Sequence, residues 1–179
     1  MNNNTFYKEN ILEVKNWGTG EWESFGNSFF NCINLTITAT DVPNITGATP
    51  SFNRAFQSCV LLTSLDLRGW NFTNVTSLNF MFSECSSLTS IIVDNFLDTS
   101  SVTAVREMFS NCTVFDQNMG ILNIANVTIM ANFMAGVTLS PANYEATLLG
   151  FLNQQPTAAA WVTSFGNSKY TPTALGYKN

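Results

Sequence analysis

Apolar residues return along this chain on two short rhythms nested inside a long one. In Leu62-Thr63-Ser64-Leu65-Asp66-Leu67, apolar and polar positions interchange over a short stretch, which predicts a short half-buried strand. The following Asn71-Phe72-Thr73-Asn74-Val75-Thr76 reads as a turn whose Asn and Thr side chains bond nearby backbone. Then Leu78, Met81, Phe82 and Cys85 fall at i, i+3, i+4 and i+7, which predicts a short helix with one apolar face. The unit is therefore strand, turn, short helix and return.

The long rhythm is carried by Cys32, Cys59, Cys85 and Cys112, which recur at almost equal intervals. Three residues before each stands Phe29, Phe56, Phe82 or Phe109, and three after stands Leu35, Leu62, Leu88 or Phe115. A fifth copy continues at Phe133, with Gly136 in the cysteine slot and Leu139 in the leucine slot. Upstream, Leu12-Glu13-Val14-Lys15-Asn16-Trp17 matches Leu65-Asp66-Leu67-Arg68-Gly69-Trp70, and each tryptophan precedes a frame phenylalanine by the same interval. Residues 12–139 thus form about five rungs. No single rung can bury its own apolar face, so neighbours must stack and the Phe, Cys and Leu slots become interior columns. The expected fold is an α/β solenoid with a parallel sheet.

Such an array exposes an apolar cross-section at each end and needs closing. Residues 140–179 are expected to cap it, all within one domain, with a helix over 140–153. Ser140 suits an N-cap, Pro141 the first helical position, and Tyr144, Leu148, Phe151 and Leu152 share a face. Residues 161–165 read as a short strand, and Gly166-Asn167 as a turn before Tyr170. Residues 1–11 are Asn-rich, lie outside the repeat and read as a tail or docking arm.

Composition narrows what the array can do. There is no histidine among the 179 residues, so Ser-His-Asp, Cys-His and HExxH chemistry are excluded, and the chain is expected not to be an enzyme. Only 11% of residues are charged, and the polar surface is built instead from 23 Asn, 21 Thr and many Ser. Twelve acids against seven bases, a net charge of −5, leave no basic patch for a nucleic acid. No apolar run is long enough to insert in a membrane, and the first residues resemble no signal peptide.

The evenly spaced cysteines do not form the paired knuckles of a metal site; they read as core fillers, with disulfides between rungs as the alternative. No cofactor is implied. Asp41, Asp66, Asp94 and Asp98 lie near strand ends, where a calcium site or a glycosidase pair would be an alternative to solvated and corner-bonding roles. Trp17, Trp70 and Phe96 share a slot after the strand, and Trp22 stands where Val75 and Val102 stand; packing is the default, an aromatic strip for sugars or peptides the alternative. The candidate surface residues are thus Trp17, Trp22, Trp70, Asp66 and Asp94.

The runs Met81-Phe82-Ser83-Glu84-Cys85-Ser86-Ser87-Leu88-Thr89-Ser90 and Met108-Phe109-Ser110-Asn111-Cys112, with the Asn74-Val75-Thr76, Ser101-Val102-Thr103 and Asn126-Val127-Thr128 corners, resemble the repeat of the BspA-like leucine-rich-repeat surface proteins. The resemblance covers residues 12–139 and reaches the closing segment. It implies a leucine-rich-repeat-like solenoid acting as an adhesin or recognition module on a bacterial envelope, with related stretches in phage virion proteins, and it supplies no catalytic residue. The expected function is a non-enzymatic recognition or structural module binding a protein or glycan. The initial Met and the absence of a secretion signal or anchor point to a phage particle component (fibre, tail or capsid decoration), self-associated or docked through residues 1–11. A bacterial cell-surface adhesin fragment is the alternative setting, and a carbohydrate-active enzyme the alternative class.

Overall fold

The computed structural model describes residues 11–94, 97–154 and 165–169. Among the described residues the strands are short: β1 (Glu13–Val14), β2 (Glu21–Trp22), β3 (Thr36–Ile37), β4 (Asn44–Ile45), β5 (Ser64–Asp66) and β6 (Ser90–Ile92), followed by a helix, α1 (Pro141–Leu152). They pair in parallel as β1 with β3, β2 with β4 and β5 with β6. Further parallel bridges join Ser77 to Ala104, Ala104 to Ile129 and Leu97 to Leu122. Each pairing joins one copy of the sequence repeat to the next.

The segments expected to be short helices are not helical. In an α-helix every amide bonds within its own segment, whereas here the amides alternate. The N–H groups of Phe29, Phe56, Phe82 and Phe109 donate to Ala55, Met81, Met108 and Phe133 of the next copy, each at 2.9 Å. Between them, Cys32, Cys59, Cys85 and Cys112 donate back to the phenylalanine three residues earlier, closing tight turns. Positive φ recurs in pairs four residues apart: Asn27 and Asn31, Arg54 and Ser58, Phe80 and Glu84, Glu107 and Asn111, Asn132 and Gly136. A positive φ at the third position of a turn is what a type II turn requires. Asn and Gly enter that region readily, but Phe80, Glu84 and Glu107 do so at a cost that the ladder must outweigh. The apolar face was nonetheless legible, since Leu78, Met81, Phe82 and Cys85 are all buried.

The phenylalanines form a column. Ring centroids lie 5.3 Å apart for Phe29 and Phe56, 5.7 Å for Phe56 and Phe82, and 5.5 Å for Phe82 and Phe109, with interplanar angles of 2°, 10° and 19°. Phe133 breaks the pattern by meeting Phe109 edge-on at 90°. The ladder explains why. Phe109 bonds the carbonyl of Phe133, whereas each earlier phenylalanine bonds the residue before the next frame aromatic. Met134 therefore takes the aromatic slot, and Val137, which donates to Met134, takes the cysteine slot. The fifth copy begins one residue later than the spacing of Phe133 and Gly136 suggested, although Phe133 and Leu139 remain buried. A second column lies four residues before the first: Phe25, Phe52, Leu78, Val105 and Met130, all buried.

The first copy also departs from its expected match. Leu12 was aligned with buried Leu65 but is 61% exposed. Pairing of Glu13 with Thr36 sets Leu12 beside Leu35 instead. Leu12 stands nearer in sequence to Phe29 than Leu35 does to Phe56, so the first copy is shortened after its strand.

At the other end, α1 begins after Ser140 with Pro141 in its first turn, as expected, but the Ser140 hydroxyl does not cap it. That hydroxyl donates instead to Asp116, which also accepts from the Ser140 N–H and the Asn143 amide. Phe151 and Thr147 are the buried helix residues, and Leu152 is 50% exposed rather than on the buried face. The helix lies unusually close to the fourth copy. A Cβ at Gly150 would stand 2.5 Å from the Gly120 Cα, a distance no real side chain tolerates. The strand expected over 161–165 and the turn partner Tyr170 lie outside the described residues, apart from Phe165, which packs on Phe133 and Phe151.

Candidate functional site

Two of the three candidate tryptophans are core residues. Trp17 and Trp70 are 6% and 7% exposed and meet edge-on at 5.0 Å. They reach each other because the stretch between their repeats, residues 40–44, carries no aromatic side chain. An exposed strip built on them is therefore corrected: their rings are buried against Phe25, Phe29, Phe52 and Phe72. Trp22 is half-buried, stacked on Phe25 at 4.5 Å, with its indole N–H donating to the Trp17 carbonyl. Phe96 lies outside the described residues.

The carboxylates are spread out and mostly engaged. Asp41 accepts the Trp17 and Gly18 amides at 2.9 and 2.8 Å, and those bonds hold its pKa below the ordinary value. Asp66 forms a bidentate pair with Arg68, closest approach 2.6 Å, which lowers its pKa in turn. Asp94 is exposed, and its charge adds to the field that favours charged Arg68. Asp98 accepts the Ser100 amide, and that bonding to Ser100 lowers its pKa. One depression among the described residues lies elsewhere, an open hollow of about 410 Å³ lined by Glu21, Glu23 and residues 46–49. Its floor needs glycine, since a Cβ at Gly47 would collide with the Glu23 carbonyl oxygen. Among the described residues no three His, Cys, Asp or Glu side chains gather as a metal site would require.

The four cysteines are buried and form no disulfide. The thiols of Cys59, Cys85 and Cys112 each donate to the carbonyl of the phenylalanine one copy back, Phe29, Phe56 and Phe82, at 3.0–3.1 Å. Burial pushes the thiols of Cys59 and Cys85 far up and that of Cys112 to about 12. A buried thiol here is a small apolar filler that also supplies a weak donor.

One surface repeats regularly, at the corners that the sequence marked as turns of Asn and Thr. Asn71, Asp98 and Asn123 each accept the amide two residues on, from Thr73, Ser100 and Ala125, at 3.0–3.1 Å. Five residues after each comes Thr76, Thr103 or Thr128, all exposed. Thr103 donates its hydroxyl to the Thr76 carbonyl, and Thr128 to the Thr103 carbonyl. Ser101 and Asn126 tie the corners in the same way, to Thr73 and Ser100. What the sequence left unaligned was the Asx slot that Asp98 shares with Asn71 and Asn123, because Asp98 reads there as one of the carboxylates. Chemically the strip offers fixed hydroxyl and amide groups with hardly a charge.

The repetition shows in the family comparison as well. The chain belongs to the family described as "Mycoplasma protein of unknown function, DUF285", which matches it twice, over residues 1–94 and 50–145. The second match starts close to two repeats after the first, and the first includes residues 1–11. No curated protein and no solved structure matches the chain. Among the described residues no helix is long and apolar enough to cross a membrane.

Proposed function

We propose that the chain is a short solenoid of about five rungs with a C-terminal helical cap, of the BspA-like leucine-rich-repeat kind, working as a non-enzymatic recognition or structural module displayed on a surface. The observation that carries this reading is the repeated strip of residues 71–76, 98–103 and 123–128. Its Asn, Thr and Ser groups are held by bonds between copies, so a partner binding there loses little freedom in ordering them. Hydroxyls and amides suit a glycan or a polar protein surface, and scarce charge makes such binding nearly independent of salt. Of the two settings, virion and bacterial cell surface, the family's description, which names mycoplasmas, speaks for the second.

The test is binding of the fluorescently labelled chain to a glycan array and to intact bacteria at low and high salt, beside a variant with Thr76, Thr103 and Thr128 replaced by Lys. The expected result is retention at both salts by the native chain and loss by the variant. Equal binding by both proteins, or consumption of an arrayed glycan, would overturn the reading. Immunogold labelling of cells and phage particles then decides the setting.

A further inference from the structure

The strip of residues 71–76, 98–103 and 123–128 has a direction as well as a chemistry. Thr76, Thr103 and Thr128 each stand two residues before a member of the second buried column, Leu78, Val105 or Met130. The parallel bridges that join Ser77 to Ala104 and Ala104 to Ile129 therefore set the three threonines side by side along the array axis. Their separation is one ladder step, ~4.8 Å. The Thr103 N–H and hydroxyl both donate to the Thr76 carbonyl, at 2.9 and 3.2 Å, and those of Thr128 both donate to the Thr103 carbonyl, at 2.9 and 3.3 Å. With its hydrogen committed to backbone, each of these exposed hydroxyls keeps its lone pairs for a partner, so the row presents acceptors of fixed direction.

A partner that uses the whole row must bring one donor per step. An extended peptide lying along the axis turns an amide to the same side only every second residue, ~6.8 Å, and falls out of step after one contact. An extended 1,4-linked pyranose chain advances by about one ladder step per sugar and carries hydroxyls along both edges of every ring. Charge narrows the class further, because the three segments hold no Lys or Arg and one acid, Asp98, which disfavours an anionic polymer. Two residues before Phe52 and Phe25 the same slot holds Pro50 and Glu23, so the row of hydroxyls begins at Thr76.

We infer that the strip binds a neutral, linear, 1,4-linked polysaccharide lying along the array axis, one sugar per rung, with Thr103 and Thr128 accepting from successive sugars. This rests on the recognition reading above and adds the ligand's class and its direction.

Chemical-shift titration of the full chain with the mono-, di- and trisaccharides of β-1,4-linked glucose, mannose and N-acetylglucosamine tests it. In at least one series affinity is expected to rise roughly 3–10-fold per added sugar, the gain from one net hydrogen bond. Thr103→Val keeps the branched shape and removes the middle hydroxyl; it is expected to weaken the trisaccharide by that factor and to leave the monosaccharide within ~2-fold. A monosaccharide bound as tightly as the trisaccharide, or a 1,6-linked glucose trisaccharide bound as tightly as the 1,4-linked one, overturns the inference and leaves the recognition reading intact. So does retention on intact bacteria that the triple Lys variant loses, with none of these sugars bound, because the partner is then of another class, such as a protein. Bacteria held equally by the native chain and by that variant bring down the recognition reading and this inference with it.

Discussion

Removing one ring from the middle of the phenylalanine column tests the packing most directly. Phe82 is fully buried and lies between Phe56 at 5.7 Å and Phe109 at 5.5 Å, both nearly parallel to it. Phe82→Ala deletes the ring, both stacking contacts and the filling between two neighbouring copies. Truncating a buried phenylalanine costs about 3–5 kcal/mol, and the two ring contacts account for ~0.5–1.5 kcal/mol each within that range. The backbone ladder at this position survives, since the Phe82 carbonyl still accepts the Cys85 amide and the Cys112 thiol. The loss is therefore one of packing. For a chain of this size it corresponds to a fall in Tm of roughly 6–20 °C. The assay is thermal and urea unfolding followed by circular dichroism and tryptophan fluorescence, with Leu61→Ala, 50% exposed, as the matched surface truncation. Leu61→Ala is expected to change stability by less than about 0.5 kcal/mol. A Phe82→Ala loss no larger than that of Leu61→Ala would refute the column as a source of stability.

Four further outcomes follow from the same geometry. The buried thiols of Cys59, Cys85 and Cys112 should resist alkylation in the folded chain at neutral pH and react fully in denaturant; fast native labelling, measured by mass spectrometry, contradicts their placement. Gly150→Ala forces a Cβ against Gly120 and should cost about 1–3 kcal/mol in urea unfolding, whereas an unchanged midpoint shows that α1 does not approach so closely. The lowered pKa values of Asp41, Asp66 and Asp98 mean that the unfolded chain takes up protons before the folded one; their stabilisation is complete above the ordinary carboxylate range and is lost as pH falls through the folded values. Melting should thus be flat from about pH 5.5 to 7.5, with no histidine to titrate there, and fall below about pH 4; a step near pH 6.5 refutes this. Gln117→Ala strips two partners from Ile91 and should cost about 1–3 kcal/mol, measured in the same denaturant series, and a neutral result removes the role assigned to that amide below.

The long period was legible because three slots recur together, and no register error can move Phe, Cys and Leu in step across four copies. Burial of those slots follows from composition alone. What the sequence could not disclose was the backbone that carries them. Spacing at i, i+3, i+4 and i+7 is shared by a helix and by tight turns of similar pitch, and only the destination of each amide separates the two. The fifth copy slipped for a related reason: Phe133 is the more aromatic candidate, but Met134 fills the slot because Met130 lies four residues before it, as Phe25 lies before Phe29. The tryptophans misled in a different way. Trp17 and Trp70 meet across a copy that lacks the residue, a contact that reading each repeat separately does not anticipate.

The irregular fourth copy has a physical reason. A parallel ladder ends in unpaired amides and carbonyls, which must be covered or they invite another strand. After β6 the chain reads Asp116-Gln117-Asn118-Met119-Gly120, with no strand to pair. The Gln117 side-chain amide takes the strand's place, accepting the Ile91 N–H at 2.8 Å and donating to the Ile91 carbonyl at 2.9 Å. Gln154, just past α1, does the same for the Ile124 amide and the Leu122 carbonyl, at 2.6 and 2.8 Å. A primary amide presents a donor and an acceptor as a peptide group does, so it can close a ladder without another copy of the repeat. A carboxylate could accept but not donate, and a lysine could donate but not accept. Where a side chain replaces a whole peptide group at a ladder edge it must be neutral and two-sided, whereas a corner needs only an acceptor, which Asn71, Asn123 and Asp98 supply alike. That requirement accounts for glutamine rather than a charged residue at the two ladder ends that Gln117 and Gln154 close.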